Sequence, residues 1–489
     1  MVLKKILIGW ASKDITPEKK VSLLGQFHVR ISEKVNDPLT TTALALESED
    51  GHEQAVMVSL DAAWAADTVM KLCRMKLKWD LPDFDPEKLL ISATHTHTAP
   101  MSLCSVFPLP DPPGLGDEVM TVDEYDDFLS TRISEAVIEA WNNRKLGAVS
   151  WGRGHAVIGF NRRVSYFDGT TAMYGQTNKP EFSHLEDGED HGVELLFTYD
   201  AEHQLTGMIV NVPCPSQCTE REWFVSADYW HETREEIRKR HGKELFILPQ
   251  CSAAGDQAPR PMINRLADAR MLKLKGYGDE YDPARRQDIA DKLAAVIDEV
   301  LPLVAKDIRD QVEFGHVVSI IELLLRQVTD ADLEHAKSQV AECSTRLIEL
   351  KDSEPSSRDY SVAFKKRIFN QLVIDRYKEQ QNGEIFLPVE LHTLRLGDVA
   401  FCSNRFEYFV DYGMRLKARS KAIQTFIIQL AGNGSYLPTE RAMQGGGYGA
   451  YVASTPIGPD GGQMIVETQV KDIDTLFREE HDQTIKMWR

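Results

Sequence analysis

Short apolar runs of strand length alternate with segments of helical periodicity along this 489-residue chain. In the first hundred residues, strand-like runs at 5–11, 41–47, 54–60 and 89–93 flank an amphipathic segment at 65–78. Such alternation is typical of α/β proteins, in which helices cover the faces of a sheet. No run reaches the roughly 18 consecutive apolar residues that a membrane-spanning helix needs. The pattern therefore predicts a soluble α/β protein.

The alternation continues after a Pro/Gly-rich loop at 100–116. Further strands are predicted at 148–153, 193–199, 206–212, 245–248, 389–396, 399–403 and 425–430, and helices at 122–143, 227–241, 283–305, 330–350, 361–379 and 406–417. No internal repeat and no long low-complexity linker divides the sequence. We predict one large α/β domain over residues 1–489, with mixed β-sheets flanked by helices and a helical insertion at about 280–385.

Charge and cysteine content restrict the partners and the compartment. Acidic residues outnumber basic ones by 75 to 56, and the formal charge of −19 argues against binding to nucleic acid or to an anionic membrane. The seven cysteines are odd in number and form no CxxC pair, which favours reduced thiols. The N-terminus lacks the apolar core of a secretory signal. We expect a cytoplasmic protein, and a homo-oligomer is compatible with the sequence.

Two histidines follow the apolar run at 89–93, where the chain reads Thr-His95-Thr-His97-Thr-Ala-Pro. Residues i and i+2 of an extended backbone point the same way, so both imidazoles could face one point. Neutral imidazole is the commonest metal ligand, and the ends of strands in α/β proteins are where sites gather. The alternative is a pair of surface histidines near a turn.

Two further loops follow apolar strands. The first, Val-Pro-Cys214-Pro-Ser-Gln217-Cys, presents a thiol that could ligate a metal or attack a substrate, or that simply fills space. The second, at 249–260, is rich in small residues and carries Asp256 and Arg260. Small residues let backbone N–H groups approach a ligand closely, although a plain turn has the same composition.

The C-terminal third contributes a glutamate and two tyrosines. Glu407 falls where the strand at 399–403 gives way to a helix, a position at which a structural cap is the alternative. Tyr436 and Tyr448 lie within the glycine-rich stretch at 432–449. Because each of these segments follows an apolar strand, we expect them to converge with the histidines, Cys214 and Asp256 in one cleft.

In this order, the segments resemble the neutral/alkaline ceramidase family. Residues 92–100 are close to that family's Ser-Ala-Thr-His-Thr-His-Ser-Gly-Pro, and residues 9–17 resemble its N-terminal strand and Asp-Ile-Thr turn. Asn161-Arg162, the spacing of Gly413 and Arg415 after Glu407, and the stretch at 435–440 are also similar to the family. The resemblance extends from residue 8 to about 455 and implies a neutral-ceramidase-like fold.

The resemblance also implies a site. The cofactor would be zinc, held by His95, Glu407 and Tyr436, with His97 beside the bound water, where it would shuttle a proton or bind the carbonyl oxygen. Tyr448 corresponds to an active-site tyrosine, and Asp228 to an aspartate near the family's second histidine ligand. With Asp256 these are the candidate catalytic residues, and the candidate substrate-binding residues are Arg162, Arg163, Arg260, His28, Gln217 and His231.

The chain departs from the family at three points. Cys214 stands where the family has its second histidine ligand, and it could be a ligand, a nucleophile with His97 or His231 as base, or structural. Ala258 replaces the family's active-site serine, which removes a serine nucleophile there. We also expect no counterpart of the family's C-terminal immunoglobulin-like module. Arg162, Arg163 and Arg260 favour a polar or anionic substrate over a long-chain lipid.

Three functions are compatible with these features. The first is a zinc-dependent hydrolase that cleaves a C–N (amide) bond in a small polar substrate, such as an N-acyl amino compound or amino sugar, rather than ceramide. The second is a carbohydrate-active hydrolase or lyase on the same scaffold, which predicts a cleft lined by tryptophans and arginines. The third is a catalytically inactive binding protein that keeps the fold.

Overall fold

The computed structural model describes residues 2–102, 116–351 and 357–477. Residues 103–115 of the expected Pro/Gly-rich loop, including Cys104, lie outside the described residues. The helices are α1 (Asp67–Asp80), α2 (Val122–Asn142), α3 (Tyr229–His241), α4 (Arg265–Leu274), α5 (Tyr281–Val304), α6 (Asp330–Lys351), α7 (Arg358–Gln380), α8 (Val410–Arg419), α9 (Glu440–Gly445) and α10 (Pro459–Leu476).

The strands, numbered in chain order, are β1 (Lys4–Asp14), β2 (Lys20–Val21), β3 (Lys34–Val35), β4 (Thr40–Ser48), β5 (Gln54–Leu60), β6 (Leu89–Ala93), β7 (Val119–Met120), β8 (Lys145–His155), β9 (Phe160–Asn161), β10 (Arg163–Tyr166), β11 (Thr171–Met173), β12 (Phe182–Leu185), β13 (Gly192–Tyr199), β14 (Leu205–Val212), β15 (Phe224–Val225), β16 (Phe246–Cys251), β17 (Gln257–Ala258), β18 (Gln311–Val312), β19 (Phe314–Leu324), β20 (Phe386–Leu396), β21 (Val399–Ser403), β22 (Glu407–Tyr408), β23 (Gln424–Ile428) and β24 (Tyr436–Leu437).

Two mixed sheets pack face to face. The larger has the order β16-β14-β13-β8-β1-β4-β5-β6, with β18 also paired to β1, and the smaller has the order β19-β20-β21-β23. Apolar side chains of both sheets form one shared core, for example Trp10 and Leu44 from the larger sheet and Leu394 and Phe401 from the smaller. Helices α2, α3 and α5 cover the outer face of the larger sheet, and α8 and α10 cover that of the smaller. The predicted α/β class with mixed sheets flanked by helices is confirmed.

Strand β4 shows why the central strands appear in the sequence as continuous apolar runs. Leu44 and Leu46 point into the core between the sheets, whereas Ala43 and Ala45 point to the opposite face, towards α2. Successive side chains of a strand alternate between faces, so a strand buried on both faces needs apolar residues at every position. The small alanines allow α2 to pack closely on this sheet.

The expected helical insertion at 280–385 is only partly helical. Helix α5 packs on α3 within the main core, and β19 pairs with β20 along its whole length. Only α6 and α7, which pack against each other, form a separate helical hairpin. The physical reason is that residues 314–324 pair with β20 and so complete the edge of the smaller sheet. The helical periodicity of the surrounding sequence does not reveal this strand pairing.

The carboxyl ends of three parallel strand pairs meet at one edge of the fold. Strands β5 and β6, β14 and β16, and β21 and β23 are paired in parallel. Backbone hydrogen bonds tie the loops that follow them, as from Ser216 N–H to the Thr94 carbonyl (3.2 Å) and from Gln429 N–H to the Cys251 carbonyl (3.1 Å). Loops at the carboxyl ends of strands commonly form binding sites in α/β folds. Among the described residues, no helix is both long and apolar enough to span a membrane.

Candidate active site

A cavity of about 810 Å³ opens at this edge of the fold. Its buried part is lined by His95, His97, Arg162, Glu220, Glu407, Tyr436 and Tyr448, and its mouth by Phe27, His28, Arg221, Trp223 and Arg358. A volume in this range suits a small organic ligand. The cavity therefore contains most of the candidate zinc ligands and one of the candidate substrate-binding arginines.

His95 occupies a strained backbone position that fixes its ring. Its φ of 68° lies in the left-handed region, which is uncommon for a residue with a side chain. Its N–H donates to the Ala62 carbonyl (2.9 Å), and its Nδ1 lies 2.6 Å from the Ala63 carbonyl. Because a carbonyl only accepts, Nδ1 carries the proton and Nε2 presents a lone pair. The rings of His95 and His97 approach to 4.8 Å between centroids through this turn, and not through the extended backbone expected from the sequence.

Glu407 and Tyr436 are brought together by a short parallel pairing. Strands β22 and β24 have only two residues each, and their register places Glu407 opposite Tyr436. The neighbouring chain approaches this pair closely because it has glycine at the contact: a Cβ atom on Gly255 would lie 2.3 Å from the Glu407 carbonyl oxygen. The glycines of these loops are therefore needed to assemble the site.

Two acceptor atoms face each other in the buried part of the cavity. His95 Nε2 and Glu407 Oε2 are 3.4 Å apart, and neither has a hydrogen-bond partner. The Arg162 guanidinium lies 3.7 Å from the same Glu407 oxygen. Burial alone would raise the pKa of the Glu407 carboxyl, but the charges of protonated His95 and of Arg162 lower it below its ordinary value. When His95 is neutral, its Nε2 lone pair and the carboxylate meet without a donor between them, an arrangement that suits a bound cation.

The side chains near this pair restrict how such a cation could be coordinated. Among the described residues, no group of three or more His, Cys, Asp or Glu side chains is placed to hold a metal ion. A metal at His95 and Glu407 would thus draw its third protein donor from another residue type. The Tyr436 hydroxyl, which hydrogen-bonds with Glu407 and lies 3.5 Å from the Arg162 guanidinium, is the candidate for that donor. The residues present therefore fit a metal of the kind implied by the sequence.

Hydrogen bonds that start at Arg162 determine the protonation of His97. An arginine only donates, so the 3.0 Å contact from Arg162 identifies Oε1 of Gln217 as its acceptor. The Gln217 amide N–H then donates to His97 Nε2 (2.9 Å), which leaves the ring proton on Nδ1, 3.6 Å from Glu220 Oε2. Burial, together with the nearby His95, lowers the pKa of His97 to about 4 despite Glu220. His97 is thus neutral and held between an amide and a carboxylate.

Gly25 makes room for the His97 ring. Its φ is +102°, and a Cβ atom there would lie 2.3 Å from the ring of His97. Glu220, on the other side of the ring, accepts a hydrogen bond from Arg260 (3.4 Å). Burial would raise the pKa of Glu220, but His97, Arg260 and Arg162 lower it to about 2. The position of His97 is therefore defined from both sides by residues that sequence analysis did not select.

Cys214 lies in the core and does not line the cavity. Its thiol donates to the Ile158 carbonyl (3.4 Å), and its side chain is fully buried among the apolar residues beneath α3 and α5. Burial raises the pKa of this thiol. A neutral thiol bonded away from the cavity fits the space-filling alternative, and we leave Cys214 out of the site proposed below. The expectation that it converges with His95 and Glu407 is corrected accordingly.

Asp256 is also buried next to the cavity and not in it. Its carboxylate accepts hydrogen bonds from Val410 N–H (2.9 Å) and the Asn161 amide (3.0 Å), and so it connects the start of α8 to β9. Burial raises the pKa of Asp256 to about 7. Ala258, two residues later, is buried in β17 and does not line the cavity. Both residues therefore support the loop that contacts Glu407.

The other candidates divide between cavity and scaffold. Asp228 begins α3 with a φ of 56° and accepts hydrogen bonds from Thr219 N–H (2.7 Å) and Tyr229 N–H (2.8 Å), which makes it a support for the Gln217 loop. His231, in the first turn of α3, does not line the cavity. His28, Gln217 and Tyr448, in contrast, lie at it or directly against its lining.

The three candidate arginines have different surroundings. Arg162 lines the cavity and donates to Tyr174, Gln217 and the Gly255 carbonyl. Arg163 is fully buried and pairs with Glu186 outside the cavity. Arg260 donates to the carbonyls of Gln217 and Cys218, both at 2.8 Å. Only Arg162 faces the space in which a ligand would bind.

Sequence reasoning missed eleven of the lining residues, among them Trp64, Tyr174, Glu220, Arg221, Trp223 and Arg358. Three of them come from residues 220–223, directly after the Pro-Cys-Pro-Ser-Gln loop. The cysteine of that loop is its most conspicuous residue in the sequence, but the residues that line the cavity are the charged and aromatic ones just after the loop. An apolar pocket of about 370 Å³ adjoins the cavity, shares Trp64, Glu407, Tyr436 and Tyr448 with it, and is bounded by α7.

Solved structures similar to this chain include ceramidases. The crystal structure of neutral ceramidase from Pseudomonas aeruginosa superposes with a TM-score of 0.68 at 15% identity, covering 97% of this chain and 75% of that one. A ceramidase complexed with C2 gives the same TM-score and identity, with 97% and 76% coverage. No protein-family model and no curated protein sequence matches the chain. The fold is that of the neutral ceramidases, as the sequence resemblance implied.

Proposed function

We propose that this protein is a zinc-dependent hydrolase that cleaves an amide bond in a small polar substrate other than ceramide. The observation that carries the proposal is the pair of unsatisfied buried acceptors, His95 Nε2 and Glu407 Oε2, which face each other at 3.4 Å inside the cavity. Leaving buried polar atoms without partners costs about 1–3 kcal/mol each. Such a cost is expected where a ligand or metal completes the arrangement.

His95, Glu407 and Tyr436 would hold the metal. When bound, zinc supplies a Lewis acid and makes water a nucleophile near neutral pH. Nitrogen and oxygen donors of this kind suit zinc. The structural similarity to neutral ceramidases adds support, since ceramide, the compound after which those enzymes are called, contains an amide bond.

Arg162 and His97 would orient the scissile amide. In the folded protein these two residues already bind a carboxamide, because Arg162 donates to the oxygen of Gln217 and His97 Nε2 accepts from its nitrogen. The same donor and acceptor would suit the carbonyl oxygen and the nitrogen of a substrate amide that displaces Gln217. Neutral His97 has a lone pair on Nε2, so it would first take up at Nε2 the proton that the attacking water loses, with Glu220 facing its Nδ1–H, and would then pass that proton to the departing amine.

Carbohydrate cleavage is the second candidate, because Trp64 and Trp223 line the cavity together with arginines, as that alternative predicts. Glycosidases, however, need one carboxyl that stays protonated to act as general acid. The pKa values of the two carboxyls in the cavity, Glu220 and Glu407, are both lowered. The charge state of the cavity therefore favours amide hydrolysis.

The proposal is tested by metal analysis and by a substrate panel. Protein purified with zinc should hold about one zinc per chain and should hydrolyse one or more small N-acyl compounds, while ceramide and oligosaccharides are not cleaved. Glu407→Gln should lower kcat/KM by about 10²–10³-fold, since it removes a charge worth several kcal/mol at the reacting centre. Glu440→Gln, at an exposed glutamate of α9, is the matched control. Absence of zinc binding, or hydrolysis only of glycosides, would refute the proposal.

A further inference from the structure

Two arginines at the mouth of the cavity differ from all the others near it. Arg221 and Arg358 line the cavity, are exposed, and form no ion pair within 4 Å and no hydrogen bond with any described residue. Arg221 influences the Asp282 carboxyl only at longer range, since the ion pair of Asp282 is with Arg260. The guanidinium groups of Arg221 and Arg358 thus remain available to a ligand.

The deeper charges of the cavity compensate one another. Glu407 is shared by His95 and Arg162, and Glu220 is shared by His97 and Arg260. Each carboxylate that lines the cavity is therefore already engaged with cationic or imidazole groups. Among the residues that the structure describes, the uncompensated charge of the cavity lies at its mouth and is positive.

His28 responds to this positive charge. Its ring lies 6.2 Å from that of Trp223, and it lines the same mouth. Burial, followed by the charges of Arg358 and Arg30, lowers the pKa of His28 to about 4. A neutral imidazole beside two arginines can donate a hydrogen bond to an anion without competing for its charge.

The positive charge at the mouth of the cavity is opposite in sign to the net charge of the protein. With a formal charge of −19, the chain repels anions at long range. A local cluster of unpaired arginines offsets that repulsion only close to the cavity. Arginine is also the side chain best suited to planar, two-point binding of carboxylate, sulfonate or phosphonate oxygens.

We infer that the substrate is an N-acyl amine that carries an anionic group on its amine part, and that Arg221 and Arg358 bind this group at the mouth while the amide reaches His95 and Glu407. The class includes N-acyl amino acids and their sulfonate and phosphonate analogues. The hydrolytic step rests on the function proposed above, whereas the binding of the anion does not.

The test compares substrates that differ only in this charge. N-acylglycine, N-acyltaurine and the corresponding N-acyl aminomethylphosphonate are measured against the uncharged N-acylglycine amide, for both turnover and calorimetric binding to the zinc-loaded protein. We expect at least about tenfold higher kcat/KM and tighter binding for one or more of the anions. The order among the three identifies the anionic group, and the preference should weaken in high salt.

Variants identify the arginines. Arg221→Glu and Arg358→Glu should each lower kcat/KM for the anionic substrate by about tenfold or more, mainly through KM, and should remove most of the preference for the anionic over the uncharged substrate. Arg270→Glu, at an exposed arginine of α4 outside the cavity lining, controls for net charge. Equal turnover and binding of charged and uncharged amides would overturn the inference and leave the amidase intact. Arginine-dependent binding without hydrolysis would support the anion site and overturn the proposed reaction.

Discussion

The protein contains two pairs of buried, adjacent histidines, and their ring nitrogens are satisfied to different degrees. In the pair His316 and His392, ring centroids 5.2 Å apart, every ring nitrogen lies within 3.0 Å of a polar atom: the Gln54 carbonyl at 3.0 Å, the other ring at 3.0 Å and Glu390 at 2.8 Å. In the pair His95 and His97, the Nε2 of His95 has none. Both pairs have a carboxylate nearby, but His316 and His392 lie on paired strands, whereas His95 and His97 lie in the loop after β6.

This difference separates a structural network from a candidate reaction centre. Fully satisfied buried polar groups make the fold rigid and specific, and the Glu390–His392–His316 chain connects β20 to β5 through Gln54. Buried groups left unsatisfied reduce stability and persist where function requires them. Histidine content alone would not have separated the two sites, whereas hydrogen-bond satisfaction does.

The strongest test of the comparison is His95→Ala. We expect loss of bound zinc and a fall of at least about 10³-fold in kcat/KM, because the change removes a metal ligand in the proposed site. The zinc-free unfolding free energy should fall by only about 1–2 kcal/mol, because the ring gives up one hydrogen bond, from Nδ1 to the Ala63 carbonyl, while its Nε2 has no partner to lose. Metal analysis, kinetics and urea unfolding of the zinc-free protein measure the three quantities. His184→Ala, at an exposed histidine, is the control; full zinc content in the His95 variant would remove His95 from the ligand set.

The opposite behaviour is expected of His392→Ala. The variant leaves the Nε2 of His316 without a partner and opens a cavity, so the unfolding free energy should fall by about 2–4 kcal/mol. Catalysis at the distant site should stay within about threefold. Chemical denaturation and kcat/KM provide the two readouts, and His335→Ala, on the exposed face of α6, provides the control. A large loss of activity with unchanged stability would show that the second pair is not merely structural.

Local sequence patterns predicted much of this arrangement. The apolar runs marked the central strands, and polar residues just beyond them correctly marked the edge at which the cavity opens. His95, Glu407 and Tyr436 were found because a short motif and its spacing resemble a known family. A two-residue parallel strand pairing joins Glu407 to Tyr436. The two residues are 29 positions apart in sequence (436 − 407), and no local pattern predicts that the chain between them returns to form this pairing.

Side-chain partners were not predictable in the same way. Cys214 has the sequence context of a ligand, yet its thiol turns towards the Ile158 carbonyl. Arg163 and Arg260 are near the site in sequence, but carboxylates and carbonyls from distant segments occupy them. Arg358 begins α7, 196 residues after Arg162 (358 − 162), and reaches the cavity only through tertiary packing. Of the three arginines selected from the sequence, only Arg162 lines the cavity, and the sequence did not single out Arg221 and Arg358 at its mouth.

Glu220→Gln tests how His97 is held in place. Its expected effect on kcat/KM lies between that of His95→Ala and that of His392→Ala. We expect kcat/KM to fall by about 10–100-fold at unchanged zinc content, because the carboxylate that faces Nδ1 orients the ring and stabilises its positive charge. The adjacent Glu222→Gln variant, at an exposed glutamate outside the cavity lining, should keep wild-type kinetics. Kinetics across a range of pH, together with metal analysis, measure the effect. Loss of zinc in the Glu220 variant would instead indicate that Glu220 belongs to the metal site.

The smallest expected effect concerns the pH dependence of the satisfied pair. Burial, followed by the neighbouring His392, lowers the pKa of His316 well below 6.5, so the folded protein resists the proton that the unfolded chain accepts. A lowered folded-state pKa gives stability that is present above the unfolded value and is lost as pH falls below it. Relative to His316→Gln, wild type should therefore lose about 1.4 kcal/mol of unfolding free energy between about pH 7.5 and pH 5.5. Urea unfolding at both pH values measures this difference, which should persist at about 0.5 M salt because burial is its main cause. A difference that is independent of pH would show that His316 binds its proton equally in both states, and the contrast between the two pairs would then rest on hydrogen bonding alone.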